Sequence, residues 1–219
     1  DVEFKFTHQN FTLMERIKPY FDSSFTVYDQ LFPKPKYINE KQQIEIYNQD
    51  AGFPIILVPE NADIQLLKQA EVLREKIAKY TAIKEKDKIR IIPSSNENSS
   101  ELAFVISLGQ SALYKKHANY LPDSILKNHD GAYYIYQQEN IQNTVFINAL
   151  SNEGFQSAIN TFCQLLDYKN GMYYAANIID YPDFTQRTYF IESFSGTKEK
   201  FLNTIELLGN FKLYSFYLV

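Results

Sequence analysis

The sequence predicts an α/β fold, with a layered domain built on a mixed sheet with helices on one face, followed by the first βαβ unit of a truncated (β/α)8 barrel. Three observations predict it. Apolar runs bounded by Gly or Pro alternate with helical spacing over residues 53–109. Two further apolar runs before residue 150 indicate a hairpin. After residue 197, an amphipathic segment and another apolar run follow within about 30 residues, the length of a βαβ unit.

The first 50 residues carry the weakest pattern. Alternation over residues 2–6 predicts a strand, and residues 11–20 read as a short helix. Residues 31–38 contain two prolines and are expected to be extended, because proline restricts both itself and the residue before it. Residues 44–47 are expected to form a strand.

From residue 54 the pattern sharpens. A continuous apolar run over residues 54–58 predicts a buried strand, and Asn61 is expected to cap the helix that follows. Apolar residues at steps of three or four then define one helical stripe: Ile64, Leu67, Ala70, Leu73, Ile77 and Tyr80. Residues 88–92 and 102–107 predict a second and a third strand. This order is typical of a βαβ-like layer.

The middle of the chain predicts a short helix over residues 111–120 and a hairpin of strands at residues 132–136 and 144–148. Ser151 or Asn152 is expected to cap the next helix. Its predicted apolar face consists of Phe155, Ala158, Ile159, Phe162 and Leu166. The chain is then expected to run extended toward residue 180.

The C-terminal segment predicts a helix over residues 198–208, with Thr197 as its N-cap and Gly209 as its C-terminal stop. Residues 212–219 predict a strand with two apolar faces. A barrel needs eight such repeats and about 250 residues. Since two strands cannot close a barrel, we expect residues 198–219 to find cover on the first domain or on a second copy of the chain.

The composition narrows the class of protein. The 219 residues have a net charge of −4, and 45% of them are hydrophobic. A nucleic-acid partner is not expected, because that would require a basic patch. No run approaches the ~20 apolar residues of a membrane span, so none is expected.

Neither a cofactor nor a metal is expected. Cys163 is the only cysteine, which rules out a disulfide within the chain and a site of clustered cysteines. It falls in an apolar helical pattern and is interpreted as buried and inert. His8, His117 and His129 lie far apart and match no ligand spacing.

The segment from Asp180 to Arg187 reads Asp-Tyr-Pro-Asp-Phe-Thr-Gln-Arg. It resembles the Asp-x-Pro-x-Phe-x-x-Arg entry into the catalytic barrel of β-N-acetylhexosaminidases, glycoside hydrolase family 20. The next segment, Ile-Glu-Ser-Phe-Ser-Gly-Thr at residues 191–197, resembles the Glu-Gly-Phe-Tyr-Gly-Thr stretch of family 84. The resemblance implies an N-terminal α/β domain placed before a catalytic barrel.

The resemblance also implies candidate substrate-binding residues. Arg187 resembles the family 20 arginine that contacts sugar hydroxyls, a role that suits the planar fork of a guanidinium. A salt bridge at the domain join is the alternative. Glu192 matches a position where these families place a residue near the substrate.

Both families hydrolyse β-linked N-acetylhexosamine with an adjacent acidic pair after the fourth barrel strand. The substrate's own acetamido group is the nucleophile, an exception to the two-carboxylate scheme. We expect this chain to lack that pair and to be inactive alone. The aspartates outside any predicted barrel strand are interpreted as caps, turns or surface residues: Asp22, Asp29, Asp180 and Asp183.

The expected organisation is an N-terminal extension over residues 1–30, an α/β domain over 31–184 and the start of a barrel over 185–219. The resemblance implies a carbohydrate partner and a periplasmic or extracellular location, and the last segment, residues 198–219, is a candidate for self-association. Two alternatives remain open: a non-catalytic glycan-binding or scaffold module, and the N-terminal domain of an α-glucuronidase-like enzyme.

Overall fold

The computed structural model describes residues 26–47, 52–81, 83, 85–94, 103–117, 123–138, 141, 143–167, 169–183, 188–191, 196–210, 212–213 and 215–218. The strand predicted at residues 2–6 and the helix at residues 11–20 lie outside these residues. So do both candidate site residues, Arg187 and Glu192.

Twelve strands lie in the described residues: β1 (Tyr37–Glu40), β2 (Ile44–Glu45), β3 (Ile55–Val58), β4 (Arg90–Pro93), β5 (Val105–Leu108), β6 (Tyr133–Gln137), β7 (Thr144–Ala149), β8 (Leu166–Asp167), β9 (Met172–Tyr173), β10 (Ala176–Asp180), β11 (Thr188–Ile191) and β12 (Ser215–Leu218). The α-helices there are α1 (Ile64–Tyr80), α2 (Ala112–His117), α3 (Asp123–Asn128), α4 (Asn152–Gln164) and α5 (Lys198–Asn210). Single 3-10 turns cover Val27–Gln30 and Lys86–Lys88.

A seven-stranded mixed sheet forms the centre, in the order β1-β10-β6-β7-β5-β3-β4. Strands β7, β5, β3 and β4 run parallel, whereas β6, β10 and β1 pair antiparallel. The predicted hairpin is confirmed as β6–β7, in which Ile135 lies opposite Ile147. A small sheet of β2, β9 and β8 lies apart from the central one. The mixed α/β class predicted from the sequence is therefore confirmed.

Helices cover both faces of the sheet, so the prediction of helices on one face is wrong. Along β3, Ile56 and Val58 join the core that contains α1 and α4. The alternate residues Ile55 and Leu57 pack with Leu113 of α2 on the opposite face. A strand that is buried on both faces has a continuous apolar run in its sequence. Such a run does not show whether a helix covers one face of the strand or both.

The start of α1 differs from the prediction. Its N-cap is Asp63, whose side chain accepts a hydrogen bond from the Leu66 amide, and not Asn61. Ala70, Leu73 and Ile77 are fully buried, as the stripe predicts, but Ile64 is 70% exposed. In this first turn Leu66 packs against the core instead.

Helix α4 packs into the same core as α1. Ser151 caps α4 by accepting a hydrogen bond from the Gly154 amide. Phe162 is fully buried, with its ring 4.7 Å from that of Tyr173. The prediction that Leu166 belongs to the helical face is wrong, because the helix ends at Gln164 and Leu166 lies in β8.

Strands β11 and β12 pair in parallel, with Tyr189 opposite Phe216, and α5 connects them. The predicted βαβ unit is therefore present. Thr197 caps α5 as predicted, because its Oγ1 accepts from the Lys200 amide. Gly209 is not the stop residue: it lies within α5, which continues to Asn210.

Among the described residues, no helix combines the length and the apolar character needed to cross a membrane.

Candidate functional site

The chain leaves the seven-stranded sheet through residues 180–183, called the junction segment here. It follows β10 and precedes β11, so its position determines where the βαβ unit begins. Its first residue, Asp180, is only 7% exposed. The interpretation of Asp180 as a cap, turn or surface residue is therefore wrong.

A buried ion pair holds Asp180. Lys212, 2% exposed, donates from its Nζ to the Asp180 Oδ2 over 2.6 Å. The backbone amide of Lys36 donates to the other carboxylate oxygen over 3.3 Å. Taking two charges out of water is costly, so such a pair is stable only with good geometry and further hydrogen bonds. The contacts of Asp180 meet both conditions.

The Tyr133 hydroxyl completes the network. It lies 3.1 Å from the Asp180 Oδ2, 3.0 Å from the Lys212 Nζ and 2.6 Å from the Thr161 Oγ1. The Lys212 ammonium can only donate and a carboxylate can only accept. Tyr133 therefore accepts from Lys212 and donates to Asp180, which leaves Thr161 as the donor of the remaining bond. Every polar atom of this cluster has a defined role.

Lys212 has an unusual backbone conformation for a residue with a side chain, with φ at 60°. Its amide bonds to the Gly209 carbonyl, and the next amide, of Leu213, reaches back to Leu208. These two bonds form a Schellman motif, in which the left-handed position is usually glycine. Lysine at that position costs about 1–2 kcal/mol. The ion pair with Asp180 offsets that cost, because this conformation is the one that presents the ammonium to the carboxylate.

The other residues of the junction segment are also fastened to the first domain. The ring of Tyr181 stacks on His129 with 4.0 Å between centroids. Lys36 makes a salt bridge with Asp183. Gly131 has φ at 75°, and a Cβ there would lie 3.3 Å from the Pro182 Cγ, so the two backbones approach closely. The segment therefore has contacts along its whole length.

Helix α5 is attached to the first domain at two more points. Asn160 of α4 donates from its Nδ2 to the Gly209 carbonyl over 2.9 Å. Lys79 of α1 contacts Glu206 over 2.8 Å, and its hydrogen bond holds the pKa of that carboxyl below its ordinary value. Together with the ion pair of Lys212, these contacts hold α5 against α1 and α4.

The two predicted substrate-binding residues flank β11 in the sequence, with Arg187 before Thr188 and Glu192 after Ile191. Both lie outside the described residues, so their roles stay predictions. The sequence analysis missed Lys212, Tyr133 and Thr161. Of these three residues, only Lys212 stands out in the sequence, because it is a charged residue between the apolar residues Phe211 and Leu213.

The cluster around Asp180 holds secondary-structure elements together, because its polar atoms bond to one another. No group of histidine, cysteine and carboxylate side chains suited to a metal occurs in the described part of the chain. Cys163 is predicted to be buried and inert; its side chain is partly buried, and burial raises the pKa of its thiol to about 12.

No protein-family model matches this sequence, and no curated protein matches it. Solved structures do resemble its fold. A GH20 exo-β-N-acetylglucosaminidase from Vibrio harveyi, in complex with N-acetylglucosamine, has a TM-score of 0.58 at 20% identity, over 90% of this chain and 26% of that chain. CpGH84B has a TM-score of 0.57 at 18% identity, over 84% and 28% of the two chains.

A β-N-acetylhexosaminidase from Bacteroides fragilis has a TM-score of 0.57 at 16% identity, over 85% of this chain and 32% of that chain. The chain thus spans less than a third of the length of each of these proteins. At these identities the likeness shows a shared fold. It matches the two families that residues 180–187 and 191–197 resemble.

Proposed function

We propose that this chain is the N-terminal part of a glycoside hydrolase that acts on terminal β-linked N-acetylhexosamine. The observation that carries the proposal is the parallel unit β11–α5–β12, which follows a seven-stranded α/β sheet. The chain shares its fold with GH20 and GH84 structures over 84–90% of its length. Residues 31–184 form the supporting domain, residues 185–219 begin the barrel, and residues 1–30 are an extension.

The proposed hydrolysis is substrate-assisted: the 2-acetamido group of the sugar attacks its own anomeric carbon, and an acidic pair orients that group and protonates the leaving oxygen. That pair belongs to a later barrel strand, so the 219-residue chain alone is inactive. Arg187 and Glu192, on either side of β11, bind the sugar in the complete barrel. Barrel enzymes build their sites from the ends of several different strands.

The contacts of α5 and the junction segment support a structural role for the first domain. A buried ion pair, a Schellman motif and a ring stack all hold the start of the barrel on the sheet. An active site on barrel loops requires strands held in place to within about 1 Å, since small misplacements of reacting groups cost large factors in rate. The first domain would supply that rigidity at the first two strands.

The test compares the 219-residue chain with the longer protein that contains it, both assayed on an aryl β-N-acetylglucosaminide. We expect turnover from the longer protein only. In the longer protein, Arg187→Ala should lower kcat/KM at least about tenfold, since a lost charged hydrogen bond is worth about 1.5–3 kcal/mol. Arg90→Ala, at an exposed arginine of β4, is the matched control and should leave it unchanged.

Three results would overturn the proposal. Turnover by the 219-residue chain that is lost on mutating a residue within it would place the chemistry here. Glycan binding without hydrolysis by the longer protein would identify a binding or scaffold module. Release of glucuronic acid in place of N-acetylhexosamine would identify an α-glucuronidase-like enzyme.

We also propose a periplasmic or extracellular location, which rests on the family resemblance. We further propose self-association through residues 198–219, because Leu202 and Leu207 of α5 are about half exposed. Sedimentation of the chain against a version ending at Asp183 tests the association. We expect the full chain to be the larger species. Equal sedimentation and equal solubility of the two would refute it.

A further inference from the structure

A second group of polar residues lies at the carboxyl ends of β3, β4 and β5. The helices that follow β3 and β5 pack on opposite faces of the sheet: Leu73 of α1 joins one core and Leu113 of α2 the other. Strands β3 and β5 are parallel neighbours. The sheet therefore has a topological switch point between them, the place where open α/β sheets form a crevice for ligands.

The structure has a cavity at this point, with a volume of about 450 Å³. That volume falls within the range of small-molecule sites, roughly 300–1,000 Å³. Its polar lining comes from all three strand ends: Glu60 and Asn61 follow β3, Ser94 follows β4, and Gln110 and Lys115 follow β5. Residues distant in sequence thus converge on one crevice.

Ser94 gives the cavity a buried donor. The side chain is 4% exposed, and its Oγ accepts a hydrogen bond from the Ala112 amide over 2.7 Å. Within the described residues its hydroxyl proton has no acceptor. Since buried polar groups are normally satisfied, a ligand oxygen in the cavity is a suitable partner for this proton.

The lining selects the chemistry of the ligand. Glu60 and Lys115 carry opposite charges, so the charges of the lining sum to zero. A carboxylate, two amides, a hydroxyl and an ammonium together offer both donors and acceptors. A ligand with many hydroxyls can use both kinds of group, because each hydroxyl donates once and accepts twice.

We propose that this switch-point cavity binds a neutral, hydroxyl-rich ligand, a saccharide of one or two rings. Among the described residues its lining contains a single carboxylate, that of Glu60, so it lacks an acidic pair and would be non-catalytic. Within the proposed function, it would hold a sugar of the glycan whose end is cleaved elsewhere, and the choice of N-acetylglucosamine as a probe rests on that function.

The test is a titration of the 15N-labelled chain with N-acetylglucosamine and, separately, with glucose, followed by amide chemical shifts. We expect saturable shifts at Asn61, Gln110 and Lys115. Asn61→Ala/Gln110→Ala should weaken binding about 5- to 150-fold, since two lost hydrogen bonds are worth about 1–3 kcal/mol. The side chains of Asn61 and Gln110 are exposed, so the double variant should fold.

The matched control is Gln65→Ala/Lys116→Ala, which removes an amide and a charge from exposed positions outside the cavity. It should bind like the unmodified chain. A separate Ser94→Ala variant, checked for folding by circular dichroism, should also bind more weakly.

Binding of either sugar, lost in the double variant and kept in the control, supports the site. Absence of saturable shifts with both sugars, or shifts that the double variant leaves unchanged, overturns it. The outcome is independent of the proposed function, because the titration needs no barrel. A longer protein that hydrolyses its substrate while this chain binds no sugar would refute the cavity site alone.

Discussion

Replacing Lys212 with methionine tests the buried ion pair directly. Lys212→Met keeps most of the aliphatic stem but removes the ammonium, so Asp180 is left 7% exposed without its counter-charge. Removing one partner of a buried pair typically costs about 3–5 kcal/mol. The Tyr133 hydroxyl also loses its bond from Lys212. We therefore expect the free energy of unfolding to fall by about 3–5 kcal/mol.

A double-mutant cycle separates the pair from other effects. Asp180→Asn/Lys212→Met removes both charges, so it should cost less than the sum of the two single changes, with a coupling of about 0.5–3 kcal/mol. Lys200→Met is the matched control. It lies on the exposed side of α5 and should change the stability by less than about 0.5 kcal/mol.

Urea unfolding followed by circular dichroism measures these changes, because the chain contains no tryptophan. Hydrogen exchange then shows where the stability is lost. The amides of α5 should exchange faster in Lys212→Met, since its carboxyl end is anchored by the pair. The reasoning would be refuted by a Lys212→Met protein as stable as the Lys200→Met control, or by additive effects in the cycle.

Three further outcomes are expected. Phe162→Ala should cost about 3–5 kcal/mol in urea unfolding, because the side chain is fully buried; a cost below about 1 kcal/mol would contradict the α4 packing. At pH 8 the Cys163 thiol, with its pKa raised to about 12, should react with Ellman's reagent at least about 1,000-fold more slowly than a free cysteine of pKa about 8.5, because the thiolate is the reactive form. Rapid labelling before unfolding would refute the raised pKa of this thiol. Gly131→Ala and Gly171→Ala should both be destabilising, Gly171→Ala by about 1–2 kcal/mol and Gly131→Ala by more, since both glycines have positive φ. Only Gly131→Ala also crowds Pro182, so equal costs would argue against the close approach there.

The local elements could be predicted from the sequence. Continuous apolar runs correspond to β3 and β7, and helical spacing after Ser151 corresponds to α4. The segment after Thr197 is a helix between two parallel strands, as predicted. These features depend on residues close in sequence: a periodic apolar pattern, a capping side chain and a turn residue.

The prediction failed wherever the answer depended on distant partners. The apolar run of β3 is compatible with helices on one face or on both, and only the packing of α1 and α2 decides between them. The apolar character of Ile64 predicts burial, but its side chain is 70% exposed, while Leu66 of the same turn packs against the core. Periodicity identifies the apolar side of an element and contains no information on what covers it.

The sequence by itself determined the α/β class, the βαβ unit and the resemblance carried by Asp180 and Arg187. The tertiary structure alone decided that Asp180 is buried and paired with Lys212, 32 residues away. It also brought Ser94 and Gln110 to one cavity. The physical reason is that an ion pair or a crevice forms between strand and helix ends that are distant in the sequence and that the sheet brings together. The local spacing of residues does not encode these long-range contacts.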